Sequence, residues 1–330
     1  MFGLPDGNGV MAFSDTAGAN ACLSLAFMLQ AEGQPIPTLF TNNPGFANND
    51  WALTVNYVDK SDINIDDSYA SYIFTGTSHP DSSRGFELGF IRLGRQLNIP
   101  SISFIDHWVN FRVRFEIGGE RILPDTIWVL DKKAKEIAIT EGLPADKLLI
   151  HKNPQHEYLA KYWRSQFEGY GYLDTLGINI VPGTRVVLYA PDPLSLRGKS
   201  KELGFDETLV LIELVNALSK LPGSPSILLL IKPHPLQPEG KLESAVEHTS
   251  ANIQVKIIKQ AKNTELINCA DVIVGIYSNF TLEAKQMHKP VIRYFPASQD
   301  LDPLHHLEDI RPVADRESLF SLLNTYLKYE

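Results

Sequence analysis

The chain has 330 residues, 44% hydrophobic and 21% charged, which is length and apolar content enough for two domains of ~150 residues each. Its formal net charge of -9 argues against a nucleic-acid carrier, because neutralising a phosphate backbone needs clustered Lys and Arg. A small anion held by a few focused cations stays compatible with that charge. Two isolated cysteines, Cys22 and Cys269, offer neither zinc spacing nor a disulfide framework and fit a reducing compartment. There is no charged-then-apolar leader and no run of ~18 apolar residues, so a cytoplasmic protein is expected. Contact with a membrane surface stays open, and no pattern speaks to oligomeric state.

The first predicted strand is GVMAF (9–13), followed by the small-residue loop FSDTAGAN (13–20) and a helical pattern from Ala21 to Leu29. Small residues there permit close backbone approach. Asp15, at the mouth of the helix, is a candidate catalytic carboxylate, although neither a GxGxxG pattern nor a P-loop lysine accompanies it. Further strands are predicted at 37–41, 72–76, 101–105, 126–130 and 147–151, with helices over 86–98 and 131–142. The polar loop 75–85 carries His79. The strand SISFI ends in Asp106, His107 and Trp108, with Arg112 and Arg114 close behind. Asp106 has the chemistry of a general base or nucleophile. His107, Arg112 and Arg114 are candidates to face an acidic acceptor or donor.

The pattern restarts after NIVPGT (179–184), which sets a boundary near residue 182 and domains 1–182 and 183–330. Strands follow at 184–192, 226–231, 253–258, 271–276 and 290–295, with helices over 207–221, 264–270, 281–288 and 316–330; the last could pack on either domain. Near-continuous apolar strands alternating with helices imply parallel sheets buried on both faces. The expected fold is α/β: two doubly wound Rossmann-like domains facing a central cleft, with ligands beyond the carboxyl ends of the strands. Three strand-end features stand out in the second domain. Lys232 and His234 are pinned between Pro233 and Pro235, which restrict φ and present both side chains with little freedom left to lose. Ser278 and Asn279 open a helix whose free N–H groups and dipole suit a phosphate, with Ser278 as a natural N-cap. Glu265 lies in the first turn of a short helix, where the dipole favours a carboxylate and where a ligand role, such as bidentate bonding to ribose hydroxyls, is the alternative. His305 and His306 lack companions at metal spacing, and no metal site is expected.

Two Rossmann-like halves with Lys-Pro-His-Pro, a following Glu265 and a Ser278-Asn279 helix start resemble nucleotide-sugar glycosyltransferases of the GT-B fold. Within that fold the second half, residues 184–296, is most similar to bacterial sialyltransferases and capsule Kdo transferases, which carry an HP motif and a downstream serine motif. The resemblance implies that Lys232, His234, Pro235, Ser278, Asn279 and Thr281 hold the phosphate of a CMP-sugar and that Glu265 binds its ribose. It also implies an N-domain aspartate, for which Asp106 is the best match, although its neighbours depart from the D/E-D/E-G pattern. The expected activity is metal-independent transfer of a CMP-activated 2-keto sugar acid to a bacterial surface glycan or glycolipid, as in capsule or lipopolysaccharide synthesis. Beyond the nucleotide-sugar donor as substrate, no cofactor is called for.

Three alternatives share the fold. A UDP-N-acetylglucosamine 2-epimerase would use Asp15, Asp106 and Glu116 for proton transfer and need no acceptor. A CDP-glycerol-type phosphotransferase also carries an HP-containing motif. A non-catalytic nucleotide-sugar-binding subunit would keep the phosphate groups and dispense with Asp106.

Overall fold

The computed structural model describes residues 2–46, 51, 53–59, 70–223, 225–247 and 249–328. Two compact units emerge, Met1–Tyr162 and Trp163–Glu330. The sequence draws its line near residue 182; in the structure Tyr172, Leu173 and Ile178 instead pack into the second unit's core beside Val186 and Leu228. A stretch without a strong strand or helix period takes its allegiance from such contacts, which the local pattern does not show.

In the first unit the strands are β1 (Gly9–Phe13), β2 (Thr38–Thr41), β3 (Val55–Tyr57), β4 (Tyr72–Thr75), β5 (Ser101–Ile105), β8 (Thr126–Val129) and β9 (Leu148–Ile150). They form one sheet in the order β3-β2-β1-β4-β5-β8-β9, every pair parallel. A small antiparallel hairpin, β6 (Glu116–Ile117) with β7 (Glu120–Arg121), lies apart from it. β3 escapes the sequence pattern because two of its three residues are exposed. Alternate residues of β1 feed different clusters: Met11 and Phe13 join Leu25 and Met28 of the helix Thr16–Ala31, while Val10 and Ala12 join Phe86 and Phe90 of the helix Phe86–Leu97. Burial of each large apolar side chain contributes about 1.5–3 kcal/mol, so both faces bind the sheet to its helices.

The second unit repeats the scheme with β10 (Arg185–Ala190), β11 (Ile227–Ile231), β12 (Ile253–Ile257), β13 (Val272–Gly275) and β14 (Val291–Arg293). Their order is β12-β11-β10-β13-β14, again all parallel. Val187 and Tyr189 pack with Leu211, Leu214, Leu319 and Leu323, and Val186 and Leu188 with Leu266 and Ile273. The last helix, Arg316–Tyr326, therefore belongs to this unit, laid against the helix Glu207–Ser219. Each unit is a doubly wound α/β domain, as expected.

Both sheets reverse their strand order beside their first strand. β1 is flanked by β2 and β4, and β10 by β11 and β13. Crossovers leave in opposite directions at these two places, so the loops after β1 and β4, and after β10 and β13, part and leave room for a ligand.

Candidate functional site

At the first reversal the loops are Ser14-Asp15 after β1 and residues 76–79 after β4. The β4 loop touches the helix that follows β1 closely: a Cβ added to Gly76 would lie 2.6 Å from the Gly18 Cα, so backbone meets backbone and Gly76 has no room for a side chain. Glu87, only 3% exposed, ties the loops together. It accepts from the Ser14 amide (3.1 Å) and hydroxyl (3.2 Å) and from the Ser78 hydroxyl (2.6 Å). Burial pushes its carboxyl above the ordinary range, and the neighbouring Asp15 adds to that.

Asp15 caps the helix Thr16–Ala31 by accepting from the Gly18 amide at 2.8 Å. Its carboxyl is also raised, first by burial and then by the charge of Asp106, against the lowering pull of the Gly18 amide and Arg114. Asp106 pairs with Arg114 at 3.6 Å. Arg114 is anchored on the β4 loop through the Thr77 carbonyl (2.6 Å) and hydroxyl (3.3 Å). The two carboxylates that compete for a catalytic role in the sequence thus lie within electrostatic reach of one another, with Arg114 acting on both, closely packed with Thr77 and Phe104 and with no room for a water between them. A larger open hollow of about 720 Å³ adjoins Asp15, with Ser14, Asn43, Tyr57, Ser78 and Arg84 on its walls.

Other predicted residues of this unit are differently engaged. Arg112 lies exposed and bonds Glu116 through Nε at 2.8 Å, and Glu116 is shared with Arg121. These arginines hold the Glu116 carboxyl below its ordinary range. His107 is exposed, its Nδ1 accepting from the Trp108 amide at 2.9 Å. His79 accepts from the Asp81 amide at 3.3 Å at the head of the short helix Pro80–Ser83.

In the second unit, the loop after β11, next to β10, carries Lys232 and His234. The Lys232 ammonium donates to the Lys259 carbonyl (2.8 Å), and burial lowers its pKa. His234 accepts from the Leu236 amide through Nδ1 (3.2 Å), which fixes the ring; burial, Arg197 and Lys232 together lower its pKa and favour the neutral imidazole. Pro235 is exposed beside it. Across β10, Ser278 occupies the N-cap position of the helix Asn279–Gln286, yet its hydroxyl makes no capping bond. That oxygen is buried without a hydrogen-bond partner among the described residues. Asp15, Asp131, Asp206 and Asp315 all cap their helices with a side-chain oxygen, so the serine's expected capping role is not realised here. Asn279 is exposed at the helix start, whereas Thr281 is fully buried with its hydroxyl donating to the Ser278 carbonyl (2.7 Å). Glu265 is 4% exposed and already engaged: it accepts from the Ser165 hydroxyl (2.6 Å) and the Gln166 amide (3.3 Å). A ribose would have to displace that segment to reach it.

Three residues absent from the sequence reading enter here. Glu87 sits inside a helical pattern and looks like an ordinary surface acid. Arg197 acts electrostatically on both His234 and Asp192. Asp192, the last residue of the predicted strand TRVVLYAPD, is 5% exposed and accepts from the Tyr277 amide at 3.1 Å. An acid two residues beyond a buried strand was the available signal. Among the described residues no group of three His, Cys, Asp or Glu is placed to hold a metal ion, and no helix is long and apolar enough to cross a membrane.

No protein-family model and no curated protein sequence matches the chain. Its fold does match solved structures. A Listeria monocytogenes protein assigned as a UDP-N-acetylglucosamine 2-epimerase superposes with a TM-score of 0.64 at 12% identity, over 98% of this chain and 88% of that one. The UDP-N-acetylglucosamine 2-epimerase of Neisseria meningitidis, bound to UDP-N-acetylglucosamine, gives 0.57 at 12%, over 97% and 93%. A glycosyltransferase of kitacinnamycin gives 0.54 at 13%, over 98% and 89%. The chain has the GT-B-like fold of these nucleotide-sugar enzymes. At such identity the likeness carries the fold alone and gives no particular support to the sialyltransferase or Kdo-transferase resemblance.

Proposed function

We propose that the protein is a nucleotide-sugar enzyme that inverts a ring carbon of a UDP-linked sugar, in the manner of a 2-epimerase. Asp15 and Asp106 carry this reading. Inversion at carbon needs one group to take a proton from one face and another to return a proton to the other. Two neighbouring carboxylates in unlike surroundings suit that division: Asp15, raised by burial, borders the larger open hollow, and Asp106 is paired with Arg114. In the second unit Lys232, His234, Arg197 and the amides heading the helix Asn279–Gln286 take the diphosphate, with no cofactor beyond the nucleotide sugar. The fold shared with UDP-N-acetylglucosamine 2-epimerases supports the choice over a CMP-sugar donor.

Transfer to a glycan acceptor is the second reading, favoured by the shared fold of a glycosyltransferase. It would use the same second-unit groups to stabilise a departing nucleotide. An acceptor-free incubation with UDP-N-acetylglucosamine, followed by proton NMR, separates the two. Appearance of the C2 epimer is the expected result. Unchanged donor, with sugar consumed only once a glycan is added, would replace the epimerase by a transferase.

A further inference from the structure

Asp192 stands immediately beside the helix start that the proposed function reserves for phosphate. Its carboxylate accepts from the Tyr277 amide, immediately before the helix Asn279–Gln286, and the Ser278 amide also acts on it. It stands after β10, one of the two strands whose crossovers part at the second reversal. A phosphate seated on those amides would meet a carboxylate of like charge at a few ångströms, largely out of water. We propose that Asp192 is a positioning residue that holds the amides in place when no ligand is bound and must take up a proton for an anionic nucleotide to bind. The inference rests on the nucleotide-sugar reading above.

The surroundings allow such a proton to be held near neutrality. Burial raises the Asp192 carboxyl to about 6, against the lowering effect of the Tyr277 amide, Arg197 on its own loop, and Arg293 on β14. Tyr189 on β10 and Tyr277 are its other titratable neighbours, both with hydroxyls raised by burial and by Asp192 itself, so they stay neutral. His234, after β11, shares Arg197 as a neighbour; burial first, then Arg197 and Lys232, lower its pKa. Asp302 also acts on Tyr277, but its charge is met by the Arg293 guanidinium. An anion close by raises the carboxyl further, so ligand binding favours the protonated form.

The test measures binding of UDP-N-acetylglucosamine by calorimetry at pH 5.5 and 7.5, because its diphosphate diester keeps a constant charge over that span. Wild-type affinity is expected to be about 10-fold weaker at pH 7.5, with net proton uptake detected by comparing buffers of different ionisation enthalpy. Asp192→Asn keeps an acceptor for the Tyr277 amide without the charge. It should bind more tightly than wild type at pH 7.5 and lose most of the pH dependence; Asp192→Ser should do the same. His234→Gln should retain the dependence. Binding by the Asp192 variants with the wild-type pH dependence intact, or weaker than wild type at pH 7.5, overturns this inference alone. Failure of the wild-type protein to bind at either pH overturns the nucleotide-sugar reading and this inference with it.

Discussion

Asp15 has two tasks at once. Its carboxylate caps a helix and lies within electrostatic reach of a second acid, Asp106, and of Arg114. The cap favours the ionised form, while burial and Asp106 favour the protonated one, and the balance lies above the ordinary carboxylate range. If Asp15 is the base, the acid limb of the kcat/KM profile should lie above that range, with activity lost as pH falls and the carboxylate protonates. Asp15→Asn should remove that limb and lower turnover by about 100-fold, a typical worth for general acid–base catalysis. The asparagine retains an oxygen for the Gly18 amide, so a loss of activity accompanied by an unchanged melting temperature separates chemistry from capping. A profile unmoved by the substitution would take the base role away from Asp15.

At the scale of elements, the site depends on how closely the loops approach at the strand-order reversals. Gly76 packs on Gly18 at a spacing that excludes a Cβ on Gly76, and Glu87 ties the loops after β1 and β4 together. Gly76→Ala should force β4's loop away from the helix Thr16–Ala31. We expect a stability loss of about 1–3 kcal/mol, read from urea denaturation, in line with overpacking in other cores. Activity should fall further than stability because Arg114 hangs from Thr77, the next residue. A variant as stable and as active as wild type would show that the loops have slack. In the second unit Arg293 plays a comparable bracing part: it is buried, paired with Asp302, and bonded to the carbonyls of Ile276 (2.8 Å) and Ile310 (3.0 Å). It thereby fixes the backbone just ahead of Tyr277 and Ser278.

For the molecule as a whole, the nucleotide is the quantity to measure. A ligand present at ~100 times its dissociation constant adds about 2.7 kcal/mol to stability, a readily detected rise in melting temperature. UDP should produce that rise and CMP should not; the reverse would restore the CMP-sugar donor that the HP and serine motifs suggest. The two units answer the same physical problem in parallel. Each places acids at its reversal point, the buried Glu87 with the half-buried Asp15 in the first and the buried Asp192 in the second, and in all three burial raises the carboxyl pKa.

Much of this was legible in the chain itself. Buried parallel strands must be apolar almost throughout, and five predicted runs contain such a stretch: GVMAF, YIFT, SISFI, VVLYA and ILLLI are each buried at every residue, while Arg185 and Ser226 at the edges of the longer predicted runs are not. The loop around His234 was legible too, because two prolines restrict it locally whatever surrounds it. Tertiary structure alone decided which groups meet. Asp15 reaches Asp106 only because β1, β4 and β5 lie side by side, and Asp192 reaches the Tyr277 amide only because β13 lies next to β10. The same reason withdrew Glu265, whose carboxylate is taken by Ser165, and left the Ser278 hydroxyl buried without a partner among the described residues. Periodicity records which face of a strand is buried. Strand order, which sets the neighbours of each loop, depends on the long crossovers between strands and leaves no local mark in the sequence.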